Sequence, residues 1–303
     1  MSKFNFILVF VLLLYGCEIA AQKETTGKIS HTEQQDKPYY QRINDQIDSF
    51  TERPLYCIKV KRACVGCDIR VNDFPIIQQF EKRCSGTEME FPLNPGILSS
   101  GIQELTIRIV PPSDQKCIPE NAVFEFEINK MPDSWVYDGN REIILPTVKM
   151  DAQGLPSWEF KTKFKAEVPF LFVAWKESQD LSKVKNLDKL LDDAYKKIAK
   201  IIEDKNIEEF VKIISKTFEY NVMLYERTEG KPNGFQEEPE KLLPMKNCKI
   251  ALYGNNRLAR YEDEEFESCF KFEVFLKNNE KTVYEYPLYF HLPQGASELE
   301  VVR

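Results

Sequence analysis

Histidine is almost missing from this chain. Its 303 residues contain two, His31 and His291. His31 lies in a polar stretch near the start, so a Ser-His-Asp or Cys-His nucleophile would have to use His291. Gly-x-Ser-x-Gly, His-Glu-x-x-His, a glycine-rich phosphate loop and EF-hand spacing are all absent, so the usual signatures of serine hydrolases, zinc hydrolases, nucleotide binders and calcium sensors are missing. Basic charge is in deficit: 41 Lys and Arg against 48 Asp and Glu give a net charge of −7, with a pI near 5.3. Binding to nucleic acid by phosphate neutralisation is not expected of such a surface. Beyond the first residues no apolar run approaches the roughly 20 residues that cross a bilayer. No internal repeat of fixed period is visible.

What is present begins with the leader. Lys3 precedes an apolar run from Phe6 to Tyr15, followed by Gly16 and Cys17. A positive end, a short apolar stretch and a small residue before a cleavage point define a secretory signal, too short for a comfortable membrane span. The Leu14-Tyr15-Gly16-Cys17 ending resembles the lipobox of bacterial lipoproteins. That resemblance covers the leader alone and implies that Cys17 becomes the lipid-bearing first residue of the mature protein. An ordinary signal-peptidase cut after Ala20 or Ala21 is the rival reading and a retained membrane anchor the third, and all three export the body.

Cysteine is plentiful, with eight in all, which suits an oxidising compartment. Cys248 and Cys269 are the two in the last third and are expected to pair. Cys57, Cys64, Cys67, Cys84 and Cys117 crowd the first half, where two bridges and one spare thiol are expected. Cys64-Val65-Gly66-Cys67 has the spacing of a redox dithiol, but its flanks alternate as strands, so a structural disulfide at a hairpin tip is the reading taken. A zinc site from Cys57, Cys64, Cys67 and Cys84 has irregular spacing and is not expected.

The patterning predicts an α+β chain that is mainly antiparallel β. Residues 1–21 form the signal peptide and 22–52 a polar, flexible tether compatible with a helical turn near 40–50. Period-two alternation then predicts a sandwich-like domain over 53–177, with strands at 57–60, 68–71, 105–109, 122–128 and 158–175. The last of these runs through Pro169 into a segment apolar on both faces, expected to be covered on both. Apolar residues at three- and four-residue steps predict a helical pair over 178–228, the second helix starting near Ile207 with Asn206 or Asp204 as cap. A loop and a small β region fill 229–303, with strands at 249–253, 257–261, 270–276 and 283–292.

Two surfaces suggest recognition. Trp135 and Tyr137 stand in a loop as an exposed aromatic pair. Tyr253 to Arg257 reads as a hairpin turn whose Gly-Asn-Asn tolerates positive φ, and Arg257 there could grip a carboxylate or a backbone. Trp158 and Trp175 are expected in the core. His291 is expected on a sheet face, and the acidic runs Glu237-Glu238 and Glu262 to Glu265 in solvated loops. No catalytic residue, metal or cofactor is expected. The function expected is non-catalytic binding or structural service at the cell envelope, with an envelope or secreted protein as partner and a lipid anchor to the membrane. Glycan or small-ligand binding is the alternative, and a carboxylate-based hydrolase the second alternative.

Overall fold

The alternation that marks the first domain folds into two antiparallel sheets whose apolar faces meet. The computed structural model describes residues 39–80, 84–133, 140–214, 219–228, 240–275 and 280–302. Strands β1 (Leu55–Ala63), β4 (Gly86–Pro92), β6 (Val123–Met131) and β7 (Glu142–Lys149) form the first sheet, in the order β4-β1-β6-β7. Strands β2 (Gly66–Val71), β3 (Phe74–Gln79), β5 (Gly101–Val110) and β8 (Trp158–Ala166) form the second, in the order β3-β2-β5-β8. Ile58, Val60, Ile69, Val71, Ile107, Ile109, Phe124, Phe126 and Ile128 are each at most 1% exposed. Rings cross between the sheets, as where Phe126 meets Phe160 with centroids 5.3 Å apart. Packing of two such inner faces is what the strand pattern encodes.

Residues 64–65 are not a hairpin tip. β1 pairs with β4 and β6, whereas β2 pairs with β3 and β5. The chain therefore turns a corner between sheets at Cys64, which has φ 57°. That geometry decides the disulfide. Cys67 is extended on β2 and buried, while the register Ala63↔Gly86 delivers Cys84 beside Cys64, whose N–H donates to the Ser85 carbonyl at 2.9 Å. The bridge is Cys64–Cys84, not Cys64–Cys67. Cys57 and Cys67 lie buried outside it and Cys117 lies exposed outside it, so the first half holds one bridge where two were expected. Cys248–Cys269 forms as expected. These two bridges suit an oxidising, extracytoplasmic compartment. Among the described residues no helix is long and apolar enough to cross a membrane.

Helix α1 (Tyr39–Asp48) occupies part of the expected tether. Ile43 and Ile47, one turn apart, are buried in the sandwich core, and Asn44 exchanges two hydrogen bonds with the Thr228 backbone, at 2.9 and 3.0 Å. The helical pair becomes α2 (Leu187–Glu203), α3 (Ile207–Ile214) and α4 (Glu219–Leu224). Asn206 caps α3 through the Glu209 N–H at 3.1 Å. The stripe Leu187, Leu191, Tyr195, Ile198 and Ile202 is buried in a second core. Its other wall comes from two small antiparallel sheets. One has the order β10 (Lys249–Tyr253), β11 (Leu258–Glu262), β14 (Phe290–His291), β15 (Glu300–Val301); the other has the order β13 (Lys281–Glu285), β12 (Lys271–Phe275), β9 (Glu240–Leu242). In contrast, α4 carries Val222 and Met223 into the first core, so the expected second helix serves both.

Two expected strands end early. The one expected to reach Trp175 stops at Ala166, and residues 167–178 continue as a strap without strand pairing apart from a bridge at Ser178. Along it Phe170, Phe172 and Trp175 are buried, but Leu171 and Val173 are 76% and 51% exposed, so only one side is covered. Pro169 removes a ladder donor where the strand would continue. The strand expected over 283–292 is split by Pro287 between β13 and β14, which belong to different sheets.

Candidate functional site: an open groove on the second sheet

The inner face of the second sheet is apolar, so its alternate residues must face out. In register across β2, β5 and β8 these form charged rows, Asp68↔Arg108↔Glu159 and then Arg70↔Thr106↔Lys161, with Glu104↔Lys163 beyond. The C-terminal part covers the β3 side of this face. Gln78 on β3 donates to the Tyr253 hydroxyl at 3.1 Å, and the Arg70 guanidinium lies 4.9 Å from the Tyr253 ring centre. Among the described residues nothing covers the β5–β8 side. The result is a groove of about 660 Å³ floored by these rows and walled by Asp73 and Asn255.

The wall is a contact between two turns. Asn72 and Asp73 join β2 to β3 with φ 51° and 61°, the type that hairpin twist favours. Gly254, Asn255 and Asn256 follow β10 with φ 59°, 56° and 64°. The expected hairpin turn is thus in place. Its first two N–H groups donate to Asp73, Gly254 to the carbonyl at 3.1 Å and Asn255 to the carboxylate at 2.9 Å. Two successive N–H groups of the turn thus close on one residue of the facing turn, one on its carbonyl and one on its carboxylate. Only glycine fits at 254, because a Cβ there would stand 2.7 Å from the Trp175 indole nitrogen.

Every acid of the groove has a cation. Arg70 holds Asp68 at 2.7 Å and Asp73 at 2.9 Å, Lys161 holds Glu159 at 2.7 Å, and Lys163 holds Glu104 at 3.0 Å. Burial opposes the Arg70 charge, but the bonds to Asp68 and Asp73 outweigh it and raise the pKa. Arg108 is exposed, and among the described residues it has no ion pair. Among the described residues no aromatic side chain lines the groove. Chemically, such a floor can exchange weak exposed ion pairs for those of a charged partner and can grip an anionic group at Arg108.

The residues singled out from sequence fall elsewhere. Tyr253 is 1% exposed and its hydroxyl donates to Glu262, so it braces the wall from inside. Burial first, and then that bond, raises its pKa and keeps it a neutral phenol. Arg257 donates to the Ser178 carbonyl and anchors the strap. Glu262 is not in a solvated loop. It ends β11, 1% exposed, and accepts from Arg260 at 2.9 Å; its second oxygen has no partner among the described residues. Burial works against the Arg260 charge, and Tyr289, Glu262 and Tyr253 outweigh it. Trp158 is half-buried against the first core, and Trp175 is buried on Phe74 at 5.2 Å. His291 lies buried on β14, its Nδ1 2.6 Å from Ser178 Oγ and its Nε2 3.9 Å from Glu300. Ser178 is 1% exposed, so this line of Ser, His and Glu clasps the strap to β14 and offers no surface to a substrate. Cys17, Trp135, Tyr137, Glu237 and Glu238 lie outside the described residues.

The groove residues were legible only as the water-facing half of each strand. Their assembly depends on register between strands far apart in sequence. Comparison with protein-family models, curated proteins and solved structures finds no match to this chain.

Proposed function

We propose that the chain is an exported binding protein that engages an envelope or secreted protein through the groove on its second sheet. The observation that carries this reading is a built, open, charged floor whose acids are all neutralised internally while Arg108 is left for a partner. Among the described residues the groove is lined by charged and small polar side chains without a ring, which favours a polypeptide over a sugar that would stack on rings. Acids held by cations also suit binding better than proton transfer. Lipid attachment at Cys17 would hold the protein at the envelope surface, as the leader's resemblance implies.

Affinity capture from envelopes with the full-length protein tests this. Arg108→Ala should weaken recovery of a stoichiometric protein partner by about tenfold or more, the value of one charge-assisted hydrogen bond, and Arg108 is exposed, so Tm should not move. Equal recovery by Arg108→Ala and the parent would overturn the groove reading. Incorporation of a fatty-acid label, lost in Cys17→Ser, tests the anchor separately.

A further inference from the structure

We infer that the partner adds a strand to the open edge of β8, and that the added segment carries acidic side chains at alternate positions. This rests on the groove reading and specifies how the groove is used. β8 is the last strand of its sheet, paired with β5 over nine residues without a bulge. Among the described residues nothing pairs with its other side. Such a row of backbone donors and acceptors is a template for an extended peptide. The β7 edge of the first sheet is different. β7 carries Pro146, and its register to β6 shifts twice, so that edge is interrupted. β8, with the sequence WEFKTKFKA, has neither proline nor glycine.

The side chains of β8 specify the occupant. Lys161, Lys163 and Lys165 project on the groove side, 66%, 66% and 68% exposed, while Phe160, Thr162 and Phe164 turn toward the core. A strand laid beside β8 places its own alternate residues opposite these lysines, where opposite charges stabilise and like charges destabilise. A second copy of β8 would set lysine against lysine, so self-pairing is disfavoured. The partners the lysines hold now, Glu159, Glu104 and Glu167, are exposed pairs at 2.7, 3.0 and 2.6 Å, weak enough to be exchanged. The chemistry that fits is a segment of period two, acidic on one face and apolar or β-branched on the other.

The test is hydrogen exchange of the full chain with a short synthetic peptide alternating glutamate with valine and threonine, and with its lysine counterpart. The glutamate peptide should slow exchange of β8 amides and the lysine peptide should not. In the triple variant Lys161→Glu, Lys163→Glu, Lys165→Glu the preference should invert, with about a tenfold change in affinity at low salt. The inversion shows the variant is folded, because only an intact edge can bind the opposite peptide. Equal protection by both peptides, or none by either, would overturn strand addition. If β8 gains no protection while Arg108→Ala still loses the captured partner, strand addition fails and the groove reading stands; loss of both effects removes both.

Discussion

Removing the Glu262 carboxylate should loosen the groove wall from behind. Glu262 and Arg260 are 1% and 5% exposed, and Glu262 Oε1 accepts from both the Arg260 Nε–H and the Tyr253 hydroxyl. Arg260 also lies 4.6 Å from the Tyr289 ring centre and donates to the Phe266 carbonyl at 2.9 Å. In Glu262→Leu the guanidinium stays buried without its hydrogen-bonded counter-charge, because the remaining contacts are neutral and Glu285 acts on it only through space. Breaking one partner of a buried pair costs about 3–5 kcal/mol. Glu262→Gln separates charge from hydrogen bonding. Its amide oxygen can keep both bonds and its amide nitrogen takes the place of the unpartnered oxygen, so the loss reduces to the charge-assisted part, about 1–2 kcal/mol. Urea unfolding of the oxidised protein, followed by tryptophan fluorescence, reads both variants as shifts in midpoint at constant slope. A Leu variant within about 1 kcal/mol of the parent, or a Gln variant as damaged as Leu, would refute the argument from buried charge.

Cys57 is 1% exposed, and burial first, then Glu90, pushes its thiol up to about 12 from an ordinary 9.0, with Arg141 pulling the other way. The folded state therefore holds that proton more tightly than the unfolded chain. Stability should fall as pH rises above about 9 toward about 12, by about 1.4 kcal/mol per pH unit, and a Cys57→Ala variant should flatten that part of the alkaline slope in pH-dependent urea titrations; an unchanged slope would contradict it. Gly254→Ala should cost about 1–3 kcal/mol in thermal melts, since it combines a left-handed backbone with the close approach to Trp175, whereas Asn255→Gly should stay within about 0.5 kcal/mol. Removing Cys248 and Cys269 together as serines opens a loop of sequence separation 21 and should lower stability by about 3 kcal/mol; an unshifted urea midpoint would show that the bridge does not constrain the unfolded chain.

The division between what the sequence shows and what it hides has a physical pattern. The central strands β1, β2, β5 and β6, and much of the edge strand β8, are legible because each turns one whole face to the core, and that writes period two into the chain. Strands β3, β4 and β7 pass unnoticed: each lies at a sheet edge, with Pro75, Pro92 and Pro146 among their residues, and β4 and β7 bury no residue fully. Their pairing is decided by partners already in place. The helical stripe of α2 is legible for the same reason as the central strands. That α3 and α4 serve different cores is not, since an apolar residue does not specify which core receives it.

Arg257 and Tyr253, which the sequence marks as a recognition surface, serve instead as internal braces. A Gly-Asn-Asn turn between alternating strands fixes the left-handed backbone locally, and that much the residues dictate. Asn255 and Asn256 stay exposed, but the N–H groups of the turn are taken by Asp73, 182 residues away from Asn255, whose carboxylate accepts from the Asn255 N–H. Once that contact forms, Tyr253 is drawn under Arg70 and beside Arg260, and Arg257 is turned onto the strap. In the function proposed above, recognition falls instead to Arg108 and the β8 lysines, which carry no local mark except their alternation.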